Sequence, residues 1–222
     1  MTNLFGLDGA DIKGALFDLD GVLVDTAKYH YLAWKRLAKE LGFDFTEADN
    51  ERLKGVSRMR SLEILLEVGG IALADGEKEQ AAARKNAWYV KHLSALDETA
   101  LLNGSKDYLL MLRANGIRVA LGSASKNAPL ILGRLGIAPL FDAVIDGNSV
   151  SKAKPDPEVF LKGAEAIGVA PELCVVFEDA LAGIEAARAG GMRVVAVGSA
   201  ELLPGADRYV ASLADMLGEA GA

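Results

Sequence analysis

The sequence predicts an α/β protein: a Rossmann-like parallel sheet core with helices on both faces, plus a small all-helical cap inserted after the first strand. Three observations predict it. Four short apolar runs, Ala15-Leu16-Phe17, Val119-Ala120-Leu121, Cys174-Val175-Val176-Phe177 and Val194-Val195-Ala196-Val197, are nearly continuous and strand-length, as strands buried on both faces are. Helical stretches separate them, and strand alternating with helix is the pattern of a parallel sheet. Between about Asp25 and Asp97 the alternation stops, and only helical periodicity is found.

In chain order, the first strand at 15–17 runs into Asp18-Leu19-Asp20-Gly21-Val22. In the insertion, Trp34, Leu37, Ala38 and Leu41 recur at i, i+3, i+4 and i+7, which predicts a helix closed by Gly42 as its C-cap. Leu62, Leu65 and Leu66 repeat the pattern, and residues 77–93 read as a further long helix. Helices are then expected at 104–115, 128–135, 157–167 and 180–189, with Ala143-Val144-Ile145 as a fifth strand. The core is therefore expected over 1–24 and 98–222 and the cap over 25–97. The two ends of the insertion, near Val24-Asp25 and at 96–99, must lie close together and are candidate hinges.

The chain has 222 residues, of which 51% are hydrophobic and 25% charged, a globular rather than disordered composition. Lys and Arg number 24 against 31 Asp and Glu, a net charge of −7. With no sustained basic cluster, this opposes a nucleic-acid or anionic-membrane partner. One cysteine, Cys174, excludes an internal disulfide and a cysteine metal cluster, and its apolar neighbours predict a buried, inert thiol. No apolar stretch approaches the roughly 20 residues that span a bilayer, and residues 1–13 do not read as a signal peptide. The expectation is a cytoplasmic protein, and a monomer as the simpler assumption.

Charged and hydroxyl groups fall where the predicted strands end. The first strand delivers Asp18 and Asp20, the second Ser123 and Ser125, and the third long run Glu178 and Asp179. Ligands of open α/β sheets bind at the carboxyl ends of the strands. Carboxylates gathered there suit a hard divalent cation, Mg²⁺ above all, which takes few protein ligands and leaves room for phosphate. Ser123, the backbone N–H groups of Ala124 to Lys126 at a helix start, and Lys154 before Pro155 would supply phosphate donors. Taken singly, each has a plainer role: Ser123 as a helix N-cap, Lys154 as a solvated lysine, Glu178-Asp179 as a helix start. Taken jointly, they point to chemistry.

Asp18-Leu19-Asp20-Gly21-Val22, Ser123, Lys154-Pro155 and Glu178-Asp179 resemble the four motifs of the haloacid dehalogenase superfamily, over nearly the whole chain after Lys13. With aspartate at position 20 the likeness is to the phosphoryl-transfer branch. The resemblance implies Asp18 as the nucleophile that becomes an aspartyl phosphate and Asp20 as general acid/base. It also implies Mg²⁺ held by Asp18, the Asp20 carbonyl, and the pair Glu178 and Asp179.

The insertion has to supply the substrate. Thr26, His30 and Trp34 recur every four residues and share a helix face beside the catalytic loop. In Lys54-Gly55-Val56-Ser57-Arg58, Gly55 and Ser57 also read as a C-cap and an N-cap, which leaves Lys54 and Arg58 unexplained. These residues, with Ser61, Lys85-Asn86 and Ser123-Ala124-Ser125-Lys126-Asn127, resemble the β-phosphoglucomutase family. That resemblance implies a sugar-phosphate substrate, with Arg58 gripping the phosphate that is not transferred and His30 assisting cap closure. It further implies interconversion of β-glucose 1-phosphate and glucose 6-phosphate through β-glucose 1,6-bisphosphate. The alternatives are a Mg²⁺-dependent sugar-phosphate or phosphoglycolate-type phosphatase, and a non-catalytic phosphate-binding protein. Ala180 after the acidic pair and the loop 146–149 depart from the family pattern, and the loop would alter metal or phosphate positioning.

Overall fold

The structure is a computed structural model and describes residues 4–7, 9 and 11–218. Six strands form one parallel sheet: β1 (Gly14–Phe17), β2 (Arg118–Gly122), β3 (Ala143–Ile145), β4 (Cys174–Glu178), β5 (Arg193–Val197) and β6 (Arg208–Val210). Their order is β3-β2-β1-β4-β5-β6, so the strand order reverses direction beside β1, where α/β sheets open a ligand crevice. Phe17 lies in register with Leu121 on one side and Phe177 on the other. Asp18, Gly122 and Glu178 therefore leave the sheet at one level, and that alignment builds the site.

The expected strands all form, and β6 is an addition. Arg208-Tyr209-Val210 carries one buried side chain, too little apolar character to stand out; it forms because β5 offers it an edge. Helices α5 (Ser105–Ala114) and α6 (Ala128–Leu135) pack on the sheet face that presents Phe17 and Phe177, whose rings stack at 4.6 Å. On the other face, presenting Leu16, Ala120 and Val176, lie α7 (Glu158–Ile167) and α8 (Leu181–Ala189). Cys174 is buried in that second layer, as its neighbours predicted.

Residues 27–93 hold α1 (Ala27–Leu41), α2 (Glu47–Glu51), α3 (Arg58–Gly69) and α4 (Asp75–Leu93). Trp34, Leu37, Phe45, Leu62 and Leu65 close an apolar core of their own between these helices. Gly42 ends α1 in the left-handed conformation, φ 92°, where a side chain would be strained. Helix α2 was not expected, because five residues are too few to show a period. Its start is fixed by a capping box, in which the Asp49 backbone N–H donates to Thr46 Oγ1 and the Thr46 N–H to Asp49 Oδ2. The chain passes between the helical segment and the sheet at 23–25 and 100–102, where Val24 and Leu101 form an antiparallel bridge. Among the described residues no helix is long and apolar enough to cross a membrane.

Candidate active site

Asp18 is the first residue past β1, and its backbone N–H is still tied to the Phe177 carbonyl at 3.0 Å. Its Oδ1 accepts a hydrogen bond from Lys154 Nζ at 2.6 Å, and the same ammonium donates to Glu178 Oε1 at 2.7 Å. Lys154 is only 3% exposed, so the solvated reading fails. Burial works against its charge, but the carboxylates of Asp18 and Glu178 outweigh burial and hold it above its ordinary value. A permanent cation is thereby fixed against the Asp18 carboxylate.

Glu178 braces the floor of the site. Its Oε1 is taken by Lys154, and its Oε2 accepts the backbone N–H groups of Asp179 and Ala180, both at 2.8 Å. It is wholly buried, with α8 laid so close that a Cβ at Gly183 would meet Oε1 at 1.8 Å. Because Ala180 serves through its N–H, its side chain is immaterial there. No three His, Cys, Asp or Glu side chains among the described residues form a metal cluster. The residues that could hold one divalent cation are Asp18, the Asp20 backbone carbonyl and the pair Glu178 and Asp179, few enough ligands for Mg²⁺. Burial, and then the charges of Glu178 and Asp18, push the Asp179 carboxyl well above its ordinary range. An excess of buried negative charge of this kind fits a cation at that point. Gly21, at φ 83°, makes the space: a Cβ there would lie 2.1 Å from Asp179 Oδ2.

Asp20 turns the other way, and Thr26 Oγ1 donates to its Oδ1. Burial, then the adjacent Asp18, raise Asp20 from 3.8 to about 7, a value suited to giving and taking protons near neutrality. Thr26 occupies the N-cap position of α1, but its hydroxyl holds Asp20 rather than the helix end, and it does not reach the pocket wall.

Ser123 follows β2, with its backbone N–H on the Ile145 carbonyl at 3.0 Å and its Oγ accepting the Ser125 N–H at 3.1 Å. Ala124, Ser125, Lys126 and Asn127 curl ahead of α6 and line the pocket with Ser123. The loop 146–149 braces this turn from behind: Asn148 Nδ2 donates to the Lys126 carbonyl at 3.1 Å, and Gly147 N–H to that of Ser125 at 3.2 Å. It contacts the turn before α6, not the carboxylates.

The helical segment closes the opposite wall. His30, Trp34, Lys54, Gly55, Val56, Arg58, Ser61, Lys85 and Asn86 line the same pocket as Asp18, Asp20 and Asp179. Trp34 does this while 2% exposed, so it is both core and wall. Lys85 is also 2% exposed: its Nζ lies 2.9 Å from His30 Nδ1 and over the Trp34 and Tyr89 rings. Burial, then Arg58, lower Lys85 to about 7, while burial and Lys85 hold His30 well below its ordinary value. Asn127 Nδ2 reaches across to Asn86 Oδ1 at 3.0 Å, joining the two walls. Gly55 is not a helix C-cap, since α2 already ends at Glu51; at φ 71° it packs on Ala180, whose Cβ would lie 2.9 Å from a Cβ at 55. Ser57 caps α3, accepting the Arg60 N–H at 3.3 Å, and does not line this pocket. Asn50 and Leu53, which the sequence did not single out, do. The Thr46-x-x-Asp49 capping box is the signal that could have placed Asn50 on a helix.

A model of haloacid dehalogenase-like hydrolases matches residues 12–191. The chain belongs to that family. It is 42% identical over 207 residues to a β-phosphoglucomutase of Bacillus subtilis, with 92% of each chain covered. A crystal structure of β-phosphoglucomutase from Clostridium difficile superposes with a TM-score of 0.88 at 41% identity, again covering 92% of both chains. A fructose-1-phosphate phosphatase of Escherichia coli is 34% identical over 189 residues, 83% of this chain and 95% of that one. Haloacid dehalogenase-like relatives of this chain thus include both mutases and phosphatases.

Proposed function

We propose that this family member is a β-phosphoglucomutase, converting β-glucose 1-phosphate to glucose 6-phosphate through β-glucose 1,6-bisphosphate. The observation that carries the reading is one pocket whose floor is Asp18, Asp20 and Asp179 and whose roof is Arg58, Lys85 and Trp34. The 42% identity to the Bacillus enzyme supports it.

In this reading phospho-Asp18 is the working enzyme. Asp20 takes the proton from the sugar 6-hydroxyl as its oxygen forms a bond to phosphorus and the bond to the Asp18 carboxylate breaks. The bisphosphate then turns over, and Asp18 attacks the phosphoryl on C1 while Asp20 returns the proton to the departing C1 oxygen. Lys154 offsets negative charge at the Asp18 carboxylate and the transferring phosphoryl, and Ser123 donates to the phosphoryl oxygens. Mg²⁺, held by Asp18, the Asp20 carbonyl, Glu178 and Asp179, would supply further charge neutralisation. Arg58, with the Ser125–Asn127 turn, holds the phosphate that stays on the sugar.

Water competes with the sugar hydroxyl. A preference of 10⁴-fold for sugar requires about 5.5 kcal/mol of barrier difference. Closure of the helical segment on the distal phosphate is the source this reading assigns, since Arg58, Lys85 and Asn86 of that segment line the same pocket as Asp18.

The identity to a fructose-1-phosphate phosphatase favours the phosphatase as the second reading. One assay separates the two: Mg²⁺, β-glucose 1-phosphate and a trace of the 1,6-bisphosphate. Formation of glucose 6-phosphate supports the mutase; release of inorganic phosphate without it contradicts the mutase and supports the phosphatase.

A further inference from the structure

Asn50 lines the pocket beside Trp34, Leu53 and Ser61, yet it belongs to no motif in the chain. It is 8% exposed, and its Oδ1 is buried without a hydrogen-bond partner. A buried acceptor with no donor is destabilising, and such groups are few in folded proteins. This one is not left over from a mobile surface loop. The Thr46–Asp49 capping box fixes the start of α2, the Asn50 N–H bonds the Thr46 carbonyl at 3.1 Å, and the Leu53 N–H bonds the Asn50 carbonyl at 3.0 Å. Arg52 then ties the end of the helix to Glu67 on α3 at 3.4 Å. The amide is thus held in place against a wall that is otherwise apolar at Trp34 and Leu53.

We propose that the Asn50 side chain is a specificity residue, hydrogen-bonding a ring hydroxyl of the sugar and leaving both phosphates to other groups. The assignment rests on the sugar-phosphate reading above and deepens it. An amide carries both a donor and an acceptor and no charge, which matches a hydroxyl better than a phosphate. A site built to bond a hydroxyl also rejects a sugar that lacks it, because the amide is then left unpaired.

The test pairs a substrate deletion with a side-chain deletion. The wild-type enzyme and Asn50→Ala are assayed on β-glucose 1-phosphate and on its 2-, 3- and 4-deoxy analogues, with hydrolysis of p-nitrophenyl phosphate as the control. One deoxy analogue is expected to lose about ten- to a hundredfold in kcat/KM with the wild type. Asn50→Ala should lose a similar factor on the full sugar, lose nothing more on that analogue, and keep the control reaction. If every deoxy penalty survives in Asn50→Ala, the assignment is overturned. The ¹⁵N-labelled wild type gives a second readout that needs neither turnover nor a folded variant. Its Asn50 side-chain amide resonances should shift with glucose 6-phosphate and not with inorganic phosphate. No shift, or the same shift with both, overturns the contact. A wild type that makes no glucose 6-phosphate yet shows the shift sinks the mutase reading alone.

Discussion

Lys154 Nζ sits 2.6 Å from Asp18 Oδ1 and 2.7 Å from Glu178 Oε1, so one buried ammonium joins the end of β1 to the end of β4. Removing it in Lys154→Met leaves two buried carboxylates without their cation. Breaking a buried pair in this way costs about 3–5 kcal/mol, and denaturant unfolding should show a loss of that order. Turnover should fall at least a hundredfold, as removal of a group facing transition-state charge does.

Gly21 and Asp179 are in closer contact than any side chain permits, since a Cβ at 21 would lie 2.1 Å from Asp179 Oδ2. Gly21→Ala should push that carboxylate off its position. The expected result is a Mg²⁺ requirement raised at least tenfold, read from activity titrated against Mg²⁺, with the far-ultraviolet circular dichroism unchanged.

The Asp20 carboxyl, raised from 3.8 to about 7, gives a pH signature. Between these values the folded chain keeps a proton that the unfolded chain has released. Its contribution to stability is therefore full below about pH 4 and is lost as pH rises through 7. About three pH units at 1.36 kcal/mol each set an upper bound of about 4 kcal/mol. Metal-free wild type should lose stability relative to Asp20→Asn between pH 5 and 7.5, measured as a narrowing or reversed difference in Tm.

Arg58 roofs the pocket opposite Asp18 and takes no part in the bonds around Asp18, Lys154 and Glu178. Arg58→Ala should cut formation of glucose 6-phosphate by orders of magnitude while slow hydrolysis of small phosphate esters persists. Equal loss of both would show that Arg58 serves the chemical step itself.

The core was legible because its strands are apolar on both faces and their ends carry the acids. Asp18, Asp20, Ser123 and Asp179 are placed on one edge by the sequence, since parallel strands end at one level. What escaped was contact at close range. The oxygens of Glu178 accept from Lys154 and from two backbone N–H groups, and no spacing in the sequence foretells those three hydrogen bonds. Lys85 reads as a polar residue on a long helix, and only the packing of α4 against α1 buries it over Trp34. Ser57 and Thr26 both precede helices, but which of them caps and which holds a carboxylate depends on rotamers. Asn50 and β6 lie in elements of five and three residues, too short for periodicity to show.

The central claim is that Asp18 carries the phosphoryl group. Enzyme incubated with ³²P-labelled β-glucose 1,6-bisphosphate and quenched in acid, then digested and sequenced by mass spectrometry, tests it directly. The account predicts label on the peptide containing Asp18, lost on treatment with hydroxylamine and absent from Asp18→Ala, which should not turn over. Label on another residue, or normal turnover by Asp18→Ala, would contradict it.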